Sequence, residues 1–278
     1  MVAPRFVLAC AVLCAACGRE RGTEPAIRFL HTFSPDETEL FNQQIGERGL
    51  AVESSLVPFA RGQQVISEIL ASPATCPDLI RIDATWLPGL RAQLAPPPTS
   101  LTSLDWTPAA AALAQLDGTW WGVPQAVDGL IVIRDLATPA PASTSIDDLV
   151  AAARAAKSEG RPYPLAVRVD GYWLVPWLRA EGADFAPAAI TGDNATRALG
   201  RFAAMFGDVA APPPPAGSEA PDELRRWGSH EVAYWITGPW QLGALRDPER
   251  VAVSAIARAP RGGQLLVVPK CAKRPTLG

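Results

Sequence analysis

The amino-acid sequence predicts an α/β protein of two lobes. The chain has 278 residues, more than a single domain usually holds. After a short leader, three predicted strands alternate with helices, which is typical of a parallel sheet with covered faces. A proline-rich break at 139–143 separates this part from a second series of helices and strands, so we expect a second lobe to begin there.

The first 17 residues are an apolar leader. The apolar run is too short to cross a bilayer as a helix and is typical of an export signal. Ala15 and Ala16 stand directly before Cys17, as in a bacterial lipobox, although a cysteine occupies the usual aliphatic position. We therefore expect a lipoprotein signal peptide over 1–17, lipidation at Cys17 and a tether over 18–25. The alternative is cleavage near Ala16 without a lipid.

Composition and charge exclude several classes of partner. The net charge is −3 and no basic run occurs, so nucleic acid is not an expected partner. His31 and His230 are the only histidines, and no Cys-x-x-Cys occurs outside the leader, so neither a metal nor another cofactor is expected. Cys76 and Cys271 remain outside the leader. A disulfide between them is permitted after export, but their spacing does not decide it.

The first lobe begins with a strand over Ala26–Leu30. Ser34 then caps a helix, with Pro35 in its first turn and Glu37 completing a capping box. The buried stripe of this helix is predicted to contain Leu40, Phe41 and Ile45. Further elements are predicted as a strand at 50–57, a helix at 61–72 and a strand at 78–83.

Polar residues follow the predicted parallel strands. Right-handed crossovers place the carboxyl ends of these strands at one edge of the sheet, where ligands of open α/β sheets bind. His31, Pro58 and Asp83 lie at these ends. Asp83 has an alternative role as the cap of the turn that follows it.

The stretch 117–134 combines rings with hydrogen-bonding side chains. Trp120 and Trp121 precede Gln125 and Asp128, at the entrance of a β-branched strand. Polyol ligands favour this combination, because their C–H faces stack on rings while their hydroxyls need oriented partners. The alternative is a hairpin loop with both tryptophans in the core.

The second half of the chain carries further aromatic loops. Tyr172 and Trp173 follow a predicted strand, and Gly238-Pro239-Trp240 forms a turn after another. Further predicted elements are helices at 146–157, 191–206 and 224–227 and strands at 165–169, 232–236, 251–256 and 265–268.

Five segments together resemble a known family. In chain order they are His31–Ser34, Pro77–Trp86, Asp117–Leu130, Gly238–Trp240 and Gly262–Lys270. Their order and spacing, over about residues 25–270, resemble the extracellular solute-binding proteins of bacterial ABC importers. The resemblance is to the sugar-binding family that includes maltose- and trehalose-binding proteins.

The resemblance implies a fold and a site. The fold would be the two-lobed periplasmic-binding-protein fold of class II type, with lobe 1 over 26–134 plus 251–278 and lobe 2 over 135–250. Family members continue further, so a C-terminal portion is expected to be missing. Gln264 stands where they usually have tryptophan. The implied ligand-binding residues are His31, Asp83, Trp86, Gln125, Asp128, Tyr172, Trp173, Gly238 and Trp240, with Glu37 beside them.

The expected function follows from this resemblance. A lipid-anchored protein outside the cytoplasm would capture a sugar or oligosaccharide between its lobes and deliver it to ABC permease subunits. Two alternatives remain open: a ligand-sensing protein for a membrane receptor, and a carbohydrate-active enzyme that uses Asp83 and Asp128. The sequence has no nucleophile or metalloprotease motif such as Gly-x-Ser-x-Gly or His-Glu-x-x-His, so we predict binding rather than catalysis.

Overall fold

A computed structural model of the chain describes residues 26–184, 190–215 and 222–273. The predicted signal peptide, Cys17 and the predicted tether lie outside the described residues. Over the described ranges, no helix combines the length and the apolar character that a membrane span requires.

The described residues form a mixture of strands and helices. The strands are β1 Ile27–His31, β2 Val52–Leu56, β3 Leu79–Asp83, β4 Leu94–Ala95, β5 Gln115–Leu116, β6 Thr119–Trp120, β7 Val123–Gly129, β8 Ile131–Asp135, β9 Leu165–Ala166, β10 Tyr234–Thr237, β11 Val251–Ala255 and β12 Arg261–Pro269. The α-helices are α1 Pro35–Glu47, α2 Gly62–Leu70, α3 Leu87–Leu90, α4 Thr99–Thr102, α5 Pro108–Ala114, α6 Ile146–Ala155, α7 Gly171–Ala180, α8 Asp193–Ala204 and α9 Glu223–Gly228. Segments of 3₁₀-helix lie at Phe59–Arg61, Ala84–Trp86, Arg91–Gln93, Pro239–Ala244 and Pro248–Arg250.

Helix α1 begins with the predicted capping box. The Ser34 hydroxyl accepts from the backbone N–H of Glu37, and the Glu37 carboxylate accepts from the backbone N–H of Ser34. The predicted buried stripe is wrong for Leu40, which is 58% exposed, whereas Phe41 and Ile45 are half-buried. The contact of α1 with the sheet is made by Phe41, whose ring lies 5.0 Å from Phe29 and 5.2 Å from Phe33, both of which are buried.

The first sheet has the order β2-β1-β3-β12-β4, with β7 also paired to β12. Strands β1, β2 and β3 are parallel, as predicted. Strand β12 returns late in the chain and pairs antiparallel with β3 on one side and with β7 on the other. The core of this lobe includes Ile66, Leu70, Ile80, Ile82, Leu87, Leu90, Leu265 and Val267.

The second sheet has the order β11-β8-β10-β9. Its alternate side chains face a core with helices α6, α7 and α8. The buried members of this core include Val132, Leu149, Leu165, Trp177, Leu178, Ala198, Phe202, Tyr234 and Ile236. The residues between them on the strands, such as Ile133 and Trp235, face a smaller cluster on the opposite side.

Within the described residues the chain crosses between the sheets twice, and the predicted lobe boundaries need correction. The first crossing is at Leu130, between β7 and β8, and the return lies between β11 and β12. Residues 131–134 and strand β11 therefore belong to the second sheet and not to lobe 1. The reason is pairing: β11 pairs along its whole length with β8, from Val251 opposite Asp135 to Ala255 opposite Ile131.

Cys76 and Cys271 form a disulfide, a point that their spacing left open. Cys76 precedes β3 and Cys271 follows β12, and these strands are antiparallel neighbours. The bond therefore ties the two strands together at the end of β3 remote from Asp83.

Candidate ligand-binding cleft

Asp83, Gln264 and Asp128 lie on one face of the first sheet. Gln264 on β12 is paired with Asp83 on β3 and with Ala126 on β7. Side chains of directly paired residues, and of residues two apart on a strand, point to the same face. Asp128 is two residues from Ala126, so this face presents two carboxylates with an amide between them.

Asp83 caps the turn that follows it, the alternative role that its position suggested. Its Oδ1 accepts from the backbone N–H of Thr85 at 2.8 Å and from the Thr85 hydroxyl at 2.5 Å, which caps the following 3₁₀ turn. Its Oδ2 has no partner among the described residues and forms no ion pair there. One carboxylate oxygen thus starts a turn while the other is available to a ligand.

Asp128 is partly buried and carries no ion pair within the described part of the chain. Gln264 Nε2 lies 3.5 Å from its Oδ2, at the outer limit of a hydrogen bond. Burial, followed by the negative charge of Asp83, raises the pKa of Asp128, and the Gln264 amide and Arg81 oppose this only in part. A ligand hydroxyl that donates to this carboxylate would replace lost hydration.

Gln125 reaches the same face through a β-bulge. Opposite β12, Ala126 pairs with Gln264 and Pro124 with Leu265, so Gln125 is the extra residue. Its Oε1 accepts from Arg81 Nε at 2.6 Å. The bulge therefore places an amide beside the buried guanidinium of β3.

Glu37 and His31 lie around Arg81 but are already engaged in the fold. Glu37 Oε1 accepts from Arg81 Nη2 at 2.9 Å, while its Oε2 accepts from Ser34 N at 2.8 Å. His31 is 1% exposed, and its Nδ1 accepts from the backbone N–H of Phe33. Burial, with the charge of Arg81, lowers the pKa of His31, so the ring is neutral. The structure places His31 in the core behind the cleft, contrary to the predicted ligand contact.

Tyr172 brings the second lobe to the two carboxylates. Asp170 caps α7 by accepting from the backbone N–H of Tyr172 at 2.8 Å. A Cβ at Gly262 would lie 2.6 Å from both the Tyr172 hydroxyl and Asp128 Oδ1, so only glycine lets both oxygens rest on this strand. The Tyr172 hydroxyl is buried without a hydrogen-bond partner among the described residues. Burial and the neighbouring carboxylates raise its pKa far above the usual value.

Trp240 is an exposed ring of the second lobe. It is 46% exposed and meets Trp173 edge to face at 6.3 Å between centroids. A Cβ at Gly238 would collide with the Trp240 ring, so Gly238 contributes the space in which this ring folds back. Nearby, a Cβ at Gly243 would lie 3.4 Å from Asp36 Oδ2, so the start of α1 adjoins the turn that carries Trp240.

Trp173 and Trp86 are core residues, which corrects the prediction that they face a ligand. Trp173 is buried, and its indole N–H donates to the Ile236 carbonyl at 2.9 Å. Trp86 is buried against Gly62 and the ring of Phe59. The Trp173 ring also meets the rings of Tyr172 and Trp240 edge to face.

The tryptophans of the 117–134 stretch follow the alternative prediction. Strands β5 and β6 form a hairpin around Asp117-Gly118, both with positive φ. Trp120 and Trp121 pack against the core of the first lobe. Only the second half of the stretch, from Gln125 to Asp128, lies at the cleft face.

Two residues of this face were missed by reasoning from sequence. Arg81 occupies β3 two residues before Asp83, so the alternation of a strand could have placed both on one face. Gln264 was noted only as a departure from a family pattern, because its neighbours on β3 and β7 depend on pairing that is distant in sequence.

A separate cavity of about 530 Å³ lies in the second lobe, away from this face. It is lined by Trp227, Leu245 and Val251 among others, and Asp135 is a further lining residue. Arg250 and Arg161 share the Asp135 carboxylate at 3.5 and 3.8 Å. The Asp135 carboxylate is thus paired within the fold. Over the described ranges, no cluster of three His, Cys, Asp or Glu side chains forms a metal site.

The two sheets and the paired crossings define the fold of the two-lobed solute-binding proteins of ABC importers, and solved structures of that kind share it. The GacH receptor of Streptomyces glaucescens is 21% identical with a TM-score of 0.76, and the match covers 90% of this chain and 72% of that one. The maltotriose-binding protein of Thermus thermophilus is 18% identical with a TM-score of 0.71, covering 90% and 74%. The MalE domain of Bdellovibrio bacteriovorus is 13% identical with a TM-score of 0.73, covering 89% and 72%.

At these identities the similarity shows the fold alone, and it confirms the predicted two-lobed α/β fold. No protein-family model and no curated protein sequence matches the chain.

Proposed function

We propose that this protein is an extracytoplasmic receptor of an ABC importer that captures a sugar or oligosaccharide between its lobes. The observation that supports this best is the set of free hydrogen-bonding groups on one sheet face. Asp83 Oδ2 and Asp128 offer acceptors, and the Gln264 amide lies between them. Such oriented groups beside an exposed ring suit a polyol.

The structures of similar fold support a sugar as the ligand class. The GacH receptor was solved with acarbose and the Thermus thermophilus protein with maltotriose. In this chain, hydroxyls would donate to the two carboxylates while a sugar face stacks on Trp240. The strands that cross between the lobes would act as the hinge for closure, and the closed form would be presented to the permease.

Export and anchoring belong to the same proposal. Cleavage before Cys17 followed by lipidation would leave the receptor on the outer side of a membrane, within reach of a permease. Membrane fractionation of Cys17→Ala against the wild-type chain tests this. Release of the variant into the soluble fraction is expected, and an unchanged membrane fraction would contradict lipidation at Cys17.

A ligand screen tests the function. Thermal unfolding and calorimetry of the purified chain with glucose, galactose, trehalose, maltose and maltotriose should identify at least one sugar that binds one to one and raises Tm. The Asp83→Asn/Asp128→Asn variant should lose that binding, whereas Asp117→Asn, at an exposed turn, should retain it. Binding by none of these sugars, or steady release of hydrolysis products, would contradict the proposed function.

A further inference from the structure

Arg81 is a buried cation directly behind the cleft face. Its side chain is 4% exposed, and its guanidinium lies 4.6 Å from the centre of the Phe33 ring. All three guanidinium nitrogens donate: Nε to Gln125 Oε1 at 2.6 Å, Nη1 to Thr32 Oγ1 at 3.2 Å and Nη2 to Glu37 Oε1 at 2.9 Å. The guanidinium therefore joins the end of β1, the start of α1 and the bulge of β7.

These contacts leave Arg81 little capacity to bind a ligand itself. Each nitrogen already has an acceptor inside the fold, and the group is almost completely covered. The Glu37 carboxylate also accepts from the backbone N–H of Ser34 in the capping box of α1, so the position of the Arg81 ion-pair partner is fixed. Any influence of Arg81 on binding must therefore pass through a neighbour.

Gln125 is the neighbour through which Arg81 acts. A guanidinium has donors only, so the amide of Gln125 must turn its oxygen toward Arg81. The Nε2 group then points away from Arg81 and has no hydrogen-bond partner within the described ranges. Gln125 is an exposed residue, so this donor is accessible.

A fixed donor matters because the carboxylates of this face can only accept. A sugar hydroxyl that donates to Asp83 or Asp128 keeps lone pairs that need a donor. We propose that Arg81 is a positioning residue that holds the Gln125 amide with its NH₂ group toward the cleft, where it donates to a sugar oxygen. This inference rests on the proposed function and assigns a donor to the same site.

The first part of the test needs no ligand. In the free protein, NMR should show a slowly rotating Gln125 side-chain amide and a scalar coupling across the hydrogen bond from Arg81 Nε–H. Arg81→Lys should remove that coupling and broaden or shift the Gln125 NH₂ signals. A Gln125 amide that is unchanged in Arg81→Lys would overturn the positioning role, whether or not any sugar binds.

The second part measures affinity for the tightest-binding sugar of the panel of five named above. Gln125→Glu keeps an oxygen for Arg81 but removes the donor, so affinity should fall about tenfold while Tm is retained. Arg81→Met should produce a similar fall, and the double variant Arg81→Met/Gln125→Ala should bind no worse than Gln125→Ala alone. Arg81→Lys serves where Arg81→Met does not fold.

Arg28→Met is the matched control. Arg28 pairs with Asp78 near the opposite end of the strands, so this variant should lower Tm without changing affinity. Wild-type affinity in Gln125→Glu, or losses in Arg81→Met and Gln125→Ala that simply multiply, would overturn the inference. Failure of every sugar to bind would instead contradict the proposed function, and the NMR result would still decide the Arg81–Gln125 relationship.

Discussion

The side-chain amide of Gln264 lies 3.5 Å from the Asp128 carboxylate. The two residues are far apart in the sequence and become neighbours because β12 pairs with β7. Neither this carboxylate nor that of Asp83 has an ion-pair partner among the described residues. The four predictions that follow concern this face, the rings beside it and the strands beneath it.

Asp128→Asn should weaken sugar binding. The change preserves shape but replaces a charged acceptor, and a ligand hydroxyl left without its partner costs about 1–3 kcal/mol. Calorimetry with the sugar selected by the screen measures the loss. Asp117→Asn is the control, since that side chain is 89% exposed in a hairpin turn and pairs with Arg91. Equal affinities of Asp128→Asn and wild type would contradict the assigned role.

Protonation of Asp128 at low pH should lower sugar affinity but raise the stability of the fold. Burial and Asp83 raise the pKa of Asp128, so it takes up a proton at a higher pH in the folded chain than in the unfolded chain. Sugar affinity should fall as pH drops through this raised pKa, because binding uses the carboxylate. Over the same window the folded state binds more protons, so the contribution of Asp128 to the free energy of unfolding should rise.

The pH experiment compares wild type with Asp128→Asn by calorimetry and by urea unfolding at each pH. The pH dependence that Asp128 gives to sugar affinity and to the free energy of unfolding should be absent in the variant, because it has no group to titrate at this position. A wild-type affinity that stays constant from neutral pH to the range of ordinary carboxyl groups would show that Asp128 is not used as a carboxylate in binding.

The two neighbouring tryptophans should have separable effects. Trp240 is exposed, so Trp240→Ala should cost about 1–2 kcal/mol of sugar binding with little change in stability. Trp173 is buried and bonded to Ile236, so Trp173→Ala should lower the free energy of unfolding by about 3–5 kcal/mol. Calorimetry and urea titration of both variants check this. An unaltered affinity in Trp240→Ala would remove the ring from the site.

Reduction of the disulfide should destabilise the fold without abolishing sugar binding. Cys76 and Cys271 are separated by 195 residues, a span for which the chain-entropy estimate is about 5 kcal/mol. Urea midpoints with and without reductant should differ for wild type but not for Cys76→Ser/Cys271→Ser. Sugar affinity should persist under conditions where the reduced protein remains folded, because the bond lies at the far end of β3 from Asp83. Identical midpoints would contradict this prediction.

Local signals in the sequence were sufficient for the parallel strands of the first lobe and the start of its first helix. The capping box at Ser34 and Glu37 depends on residues three apart, and the three parallel strands follow from short apolar runs separated by helices. The position of Asp83 at the end of β3, where it caps a turn, could be predicted for the same reason. These features need no knowledge of the rest of the chain.

Features that depend on distant pairing could not be predicted. Strand β11 was placed in the wrong lobe because its partner β8 lies far away in sequence, and the bulge at Gln125 exists only relative to β12. Composition also cannot tell an exposed ring from a buried one. Trp173 and Trp240 are both tryptophans next to loops, yet only the neighbours supplied by folding bury the first and leave the second open.

The divided carboxylate of Asp83 limits how this site can change over evolution. Because Oδ1 starts the turn at Thr85, a replacement at position 83 must also be able to begin a helix, which restricts the choice to residues such as asparagine, serine and threonine. Gln264 caps no helix and can vary more freely. Selection for a new ligand should therefore accumulate diversity at position 264 and leave position 83 nearly constant.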